Sequence, residues 1–190
     1  MAEQEGRIGS SANEPELVRQ AQRGEETAFT ALYQAYLDRI YRFLYLNTGH
    51  GQDAEDLAAH VFIKAWENLG SYQERGVPFG AWLFRIARNA LIDHVRTRRA
   101  TESLEHPAAL VLANGENVEA EVDRRLLGEE LARDLQELTA EQRQVIVLRL
   151  VEGHSTEEIA RALKRRPGAI RGLQMRGLQA LAGLRRRKYD

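Results

Sequence analysis

Arginine is the side chain best suited to grip phosphate and to read a guanine edge, because its planar fork offers paired donors in fixed geometry. The sequence concentrates such groups. Between Arg161 and Lys188 lie Arg161, Lys164, Arg165, Arg166, Arg171, Arg176, Arg185, Arg186, Arg187 and Lys188, and no acid falls between Glu158 and Asp190. A second cluster is Arg85, Arg88, Arg96, Arg98 and Arg99, opposed only by Asp93. From Thr101 to Asp123 the pattern inverts to Glu102, Glu105, Glu116, Glu119, Glu121 and Asp123 without one Lys or Arg. The net charge of −1 hides this segregation. Two basic faces joined by an acidic strap point to a nucleic-acid binder with two contact points. A pair of solvated helix faces is the plainer account, and it does not explain the segregation.

Other chemistries fare poorly. Cysteine is absent, which removes disulfides and thiolate catalysis and suits a reducing cytoplasm. His50, His60, His94, His106 and His154 are scattered without metal-ligand spacing. No Gly-rich phosphate loop or nucleophile motif occurs, so no enzyme activity, metal, cofactor or small-molecule substrate is expected. No apolar run approaches the roughly 20 residues that cross a bilayer. The polar stretch 1–12 lacks the apolar core of a signal peptide and reads as a disordered leader.

The elements that must carry the arginines are helical. Asn13 with Glu16 suggests a capping box, with Pro15 tolerated in the first turn. Apolar residues then recur at helical spacing through Phe29, Leu32, Tyr36, Ile40 and Phe43. A Gly- and Asn-rich turn covers Asn47 to Gln52, and a helix begins near Asp53 with acids in its first turn. Gly70 to Pro78 reads as a loop. Phe79 to Arg98 reads as a helix burying Trp82, Leu83, Ile86, Ala90, Leu91 and Val95. The acid-rich stretch from Thr101, about 22 residues, could reach roughly 75 Å when extended, so the flanking domains need not touch. The expected division is 13–100, a flexible acidic linker at 101–118, and a second helical domain at 119–188.

That second domain starts with a helix from Glu119 to Glu137. Thr139 with Gln142 forms a capping box opening a helix that buries Val145, Ile146, Leu148 and Leu150, and Gly153 ends it. Ser155 with Glu158 opens a short helix carrying Ile159, Ala160 and Leu163. After Lys164 to Arg166, Pro167 starts a last helix with Ile170, Leu173, Leu178, Leu181 and Leu184 as its stripe. Short helix, tight turn and longer basic helix make a helix-turn-helix. Arg171, Gln174, Met175 and Arg176 fall off the stripe.

Three segments carry a resemblance. LTAEQRQVIVLRLVEGHSTEEIARAL (138–163), DAEDLAAHVFIKAWENL (53–69) and FGAWLFRIARNALIDHVRTRR (79–99) resemble, in order, region four, the polymerase-binding helix and the promoter-melting segment of extracytoplasmic-function sigma factors of the bacterial sigma-70 family. The resemblance implies an all-α protein of two small domains, region two and region four, that binds core RNA polymerase and promoter DNA and answers to an anti-sigma factor. It implies Asp53, Asp56, Phe62, Lys64 and Trp66 as the polymerase-binding set. For the minus-ten element it implies Tyr72, Phe79, Trp82, Arg85, Arg88, Asn89, Arg96 and Arg98, in which aromatics stack on exposed bases, Asn89 reads an edge and the arginines hold phosphates. For the minus-thirty-five element it implies Arg165, Arg166, Arg171, Gln174, Met175 and Arg176. The chain departs from the family where Lys164 stands in place of the usual turn Gly and Arg166 in place of a capping Ser. The rival reading is a helix-turn-helix regulator that works without polymerase, its first domain serving for dimerisation.

Overall fold

The computed structural model of the protein describes residues 13–73, 77–101 and 130–189. The expected leader and nearly all of the expected linker lie outside those residues, as does the first part of the helix expected from Glu119. Every regular element among the described residues is helical.

Four helices build the first unit: α1 (Glu14–Gln22), α2 (Glu26–Thr48), α3 (Gly51–Asn68) and α4 (Phe79–Thr101), with a 3₁₀ turn at Leu69–Ser71. The α2 helix packs on α1, α3 and α4. Ile40, Phe43, Leu44, Val61 and Leu83 fill the space between them. The Asn13 capping box does not form: Asn13 has helical backbone angles, so its side chain makes no cap bond. Glu16 pairs instead with Arg19, and Glu14 is buried, accepting a 2.5 Å hydrogen bond from the Tyr36 hydroxyl. Gly80 makes room for that tyrosine, since a Cβ there would lie 2.8 Å from its hydroxyl oxygen.

The second unit holds a helical segment α5 at residues 130–136, then α6 (Ala140–Ile146), α7 (Thr156–Leu163) and α8 (Pro167–Tyr189). Thr139 and Ser155 each complete a reciprocal capping box with Gln142 and Glu158. A π turn at Val147–Val151 follows α6. Its wider winding shifts the buried face by a residue, so Val147 goes inside and Leu150 points to solvent, against the expected stripe. On α8 the buried line runs Ile170, Leu173, Gly177, and Leu178 is exposed. Gly177 holds the close position because a Cβ there would meet Ile146 Cγ1 at 2.9 Å.

The two units lie against each other. The α7 helix packs on α4, and α6 and the π turn pack on α2. Phe84, absent from the expected stripe of α4, is buried because α4 is covered on two sides, by its own unit and by the second. Val95, expected inside, is exposed.

Candidate nucleic-acid interface

The helix-turn-helix is positioned by its caps and its turn. Ser155 accepts from the Glu158 N–H while Glu158 Oε2 accepts from the Ser155 N–H at 2.7 Å, fixing the start of α7. The helix ends at Lys164 with φ 51°, the left-handed conformation that glycine adopts freely and a Cβ resists. Arg165 N–H returns to the Ala160 carbonyl at 2.9 Å, and α8 then starts on Pro167. Arg166, Arg171, Met175 and Arg176 are exposed and Gln174 is half-buried. Arg165 is exposed too, but its guanidinium is paired with Glu141 of α6.

The other predicted DNA set divides in two. Tyr72, Phe79 and Trp82 are buried and pack on one another, with ring centroids 5.0 to 5.8 Å apart. In this state their rings face one another rather than solvent. The Tyr72 hydroxyl donates to the Val77 carbonyl at 2.8 Å, and the Gln22 amide donates to the Leu69 and Tyr72 carbonyls, tying the end of the 3₁₀ turn to the start of α4. Asn89 and Arg96 are exposed, Arg85 and Arg98 are half-buried, and Arg96 lies 3.3 Å from Asp93. Arg88 is half-buried. Burial, with the Arg165 charge added, lowers its pKa below the ordinary guanidinium value.

The α3 face is likewise mixed. Trp66 is 42% exposed, its ring edge-to-face with Phe29 at 4.7 Å. Phe62 is buried against Tyr33 with centroids 4.6 Å apart, which places it in the core. Asp56 and Lys64 are exposed, and Lys64 pairs with Glu67 at 2.8 Å. Asp53 is turned toward α4, where it meets Arg98 at 3.2 Å and His94 at 3.4 Å. Sequence reasoning missed Ile63, which is 57% exposed and stands one turn before Trp66. An isoleucine on the polar side of α3, off the buried line of Leu57, Val61 and Ala65, was the available signal.

Among the described residues no group of His, Asp or Glu could hold a metal ion, and no helix is long and apolar enough to cross a membrane. The chemistry on display is cationic and amide donors on two helical units, with an apolar edge on the first.

Known proteins share this arrangement. Residues 32–101 match Sigma-70 region 2 and residues 128–181 match Sigma-70, region 4. The chain is 36% identical over 183 residues to the ECF RNA polymerase sigma factor BldN of Streptomyces coelicolor, a match taking in 92% of this chain and 66% of that protein. It is 30% identical over 173 residues to the ECF RNA polymerase sigma factor SigW of Bacillus subtilis, taking in 86% of this chain and 92% of that one. Among solved structures, CnrH in complex with the cytosolic domain of CnrY superposes with a TM-score of 0.71 at 28% identity, over 92% of this chain and 97% of that one. The sigma factor RpoE of Bartonella quintana, solved with the anti-sigma factor NepR, shares the fold with a TM-score of 0.67 at 24% identity, over 83% of this chain and 96% of that one. With region two and region four matched in order, and the likeness to SigW running through nearly all of that protein, the chain belongs to the extracytoplasmic-function RNA polymerase sigma factors of the sigma-70 family.

Proposed function

We propose that this chain binds core RNA polymerase, directs it to bipartite promoters and promotes DNA opening, acting in the cytoplasm at the nucleoid and catalysing nothing itself. The unit at 13–100 serves polymerase binding and the minus-ten element, 101–118 is the linker, and 119–188 reads the minus-thirty-five element. The observation that carries this is one chain offering two kinds of surface. The first unit pairs an apolar edge, Ile63 and Trp66, with the charged Asp56 and Lys64. An aromatic anchor within a polar rim suits a protein interface. The second exposes Arg166, Arg171 and Arg176 around a helix-turn-helix, the arrangement that suits a major groove.

Within the first unit, Asn89 is the candidate base reader, with Arg85, Arg88, Arg96 and Arg98 on the backbone. The buried Tyr72, Phe79 and Trp82 pack at the start of α4, where Tyr72 bonds Val77. Phe62 shapes the polymerase face from the core, and Asp53 orients α4. CnrH was solved in complex with the cytosolic domain of CnrY. This supports an anti-sigma partner here.

Run-off transcription with core polymerase on a genomic DNA library tests the reading. Defined transcripts that require the chain are expected. DNA binding without core binding or transcripts would instead establish the polymerase-independent regulator.

A further inference from the structure

The outer side of α4 carries two aliphatic side chains that the fold does not use. Ile92 is 42% exposed and Val95 is 39% exposed, one turn apart and beyond the buried Leu91. Neither serves the helix itself. A β-branched side chain loses rotamer freedom in a helix, and alanine or leucine at the same place would favour it more. Neither serves the core, which α4 fills from its other side with Ala87, Ala90 and Leu91.

Their setting narrows what covers them. Arg85, Asn89, Ile92 and Arg96 follow one another at spacings of four, three and four residues, which puts them in one line along the helix. Arg88 and Val95 flank that line on one side. Ile92 is therefore the centre of the face, with Arg88 and Asn89 one turn before it and Val95 and Arg96 one turn after. Asn89 and Arg96 are exposed, and Arg85 and Arg88 are half-buried. Asp93, beside the line, lies 3.3 Å from Arg96. Arg98 and His94 belong to the opposite side, where they meet Asp53.

Guanidiniums and an amide around an aliphatic centre complement an anionic surface that also offers something apolar. A phosphate backbone satisfies the arginines and gives an isoleucine nothing. The major groove of duplex DNA admits an α-helix, and the apolar group on its floor is the thymine C5 methyl. With α4 in that groove, the arginines face the phosphates on its walls. Ile92 stands about 4.5 Å along the helix from Asn89, against about 3.4 Å between stacked base pairs. The isoleucine then meets the pair next to the base that Asn89 reads.

We propose that Ile92, supported by Val95, reads the methyl group of a paired thymine adjoining the base read by Asn89, and so sets part of the chain's promoter preference. The proposal rests on the promoter-binding reading above and adds a specificity determinant to it. The contact distinguishes thymine from cytosine without a hydrogen bond, because cytosine presents no methyl group there.

Deoxyuridine supplies the test, since it removes that methyl group and leaves pairing intact. Holoenzyme assembled from the full chain and core polymerase is measured for affinity to a duplex promoter identified by run-off transcription. Each thymine of the minus-ten element and its flanks is replaced singly by deoxyuridine. Wild type is expected to lose roughly fourfold at one thymine, the worth of one buried methyl group. That thymine should lie about one or two base pairs from the position where Asn89→Ala relaxes base preference. Ile92→Ala is expected to weaken binding to the unmodified promoter at least threefold and to show no further loss with deoxyuridine at that position. Val95→Ala is expected to act in the same direction but less. Alanine favours a helix, so both variants should fold, as circular dichroism checks, and both should bind core polymerase normally. Deoxyuridine without effect at every position overturns the proposal, and so does a full deoxyuridine loss that persists in Ile92→Ala. Loss of core binding by Ile92→Ala overturns it as well and assigns the patch to a protein interface. If wild type forms no promoter complex with core polymerase, the sigma reading falls and takes this proposal with it; a complex indifferent to the methyl group removes this proposal alone.

Discussion

Asp53, in the first turn of α3, lies 3.2 Å from the guanidinium of Arg98, near the far end of α4. The pair joins the helix proposed to dock on polymerase to the helix proposed to hold the minus-ten element. It also anchors the outer turns of α4, beyond the buried Leu91, where Ile92 and Val95 face solvent.

Because both side chains are about one-third exposed, the pair is worth no more than about 0.5–1 kcal/mol. Asp53→Ala and Arg98→Ala should each lower thermal stability slightly, and the double variant should be no worse than either single one. In a core-polymerase binding assay, Trp66→Ala and Ile63→Asp should each cost tenfold or more, and Asp53→Ala much less. Full additivity in unfolding would show that the two residues act independently.

The second prediction concerns two glycines of α8. Gly177→Ala pushes a methyl group into Ile146 and should destabilise the chain by about 1–3 kcal/mol, although alanine favours a helix by about 1 kcal/mol. Gly183→Ala, with open space at its Cβ, should stabilise by up to about 1 kcal/mol. Denaturant midpoints of the two variants should therefore move in opposite directions.

Much of the second unit was legible in sequence, and the misses share a cause. The capping boxes at Thr139 and Ser155 were readable because a hydroxyl and a carboxylate or amide three residues apart satisfy each other's backbone donors. The π turn was not: at a strict helical period Val147 falls opposite Val145, yet the structure buries it, and the apolar Leu150, expected inside, is exposed. Gly177 escaped because a stripe built from apolar side chains skips a position whose role is to have none. Phe84 and the ion pair of Arg39 with Glu152, Nε to Oε2 at 3.1 Å, were illegible because they depend on one unit covering the other, and no local pattern records that. At the candidate DNA surface, residue type pointed to Tyr72, Phe79 and Trp82, and burial shows them packed together as support.

Lys164 offers a third test. Its left-handed backbone, φ 51°, costs a residue with a Cβ about 1–2 kcal/mol. Lys164→Gly should raise stability by about 0.5–1 kcal/mol after the added freedom of the unfolded glycine is counted, whereas Lys164→Ala should bring no such gain. Thermal unfolding of the three proteins decides it, and equal gains from Gly and Ala would assign the effect to charge.

A fourth follows from His154. Burial is the main reason its pKa falls from 6.5 to about 4; nearby Arg39 lowers it further and Glu158 opposes. A depressed value means the folded chain favours the neutral ring, so this contribution to stability is present above about pH 6.5 and is lost as pH falls toward 4. Glu152 works in the opposite direction: burial raises its pKa against the pull of Arg42 and Arg39, so its contribution to folding stability grows as pH falls. Comparing wild type with His154→Gln cancels the Glu152 contribution. Between pH 7 and 5 the wild type should lose about 1–2 kcal/mol of folding stability relative to the variant, read from denaturant midpoints at the two pH values. Parallel pH profiles would show that burial of His154 does not contribute to the pH dependence.

Promoter opening is the central claim, and permanganate footprinting with core polymerase tests it most directly, on duplex and pre-melted templates carrying the same promoter. The wild-type chain should make thymines near the minus-ten element reactive on duplex DNA, where core polymerase alone does not. Asn89→Ala and Arg85→Ala with Arg88→Ala should bind core normally and lose duplex opening. A captured base is worth about 1–3 kcal/mol, so Asn89→Ala should cost roughly tenfold or more. The pre-melted template should rescue the arginine variant more than Asn89→Ala, because it meets the cost of unpairing and does not replace base recognition. No reactivity with the wild-type chain, or loss of core binding in these variants, would contradict the account.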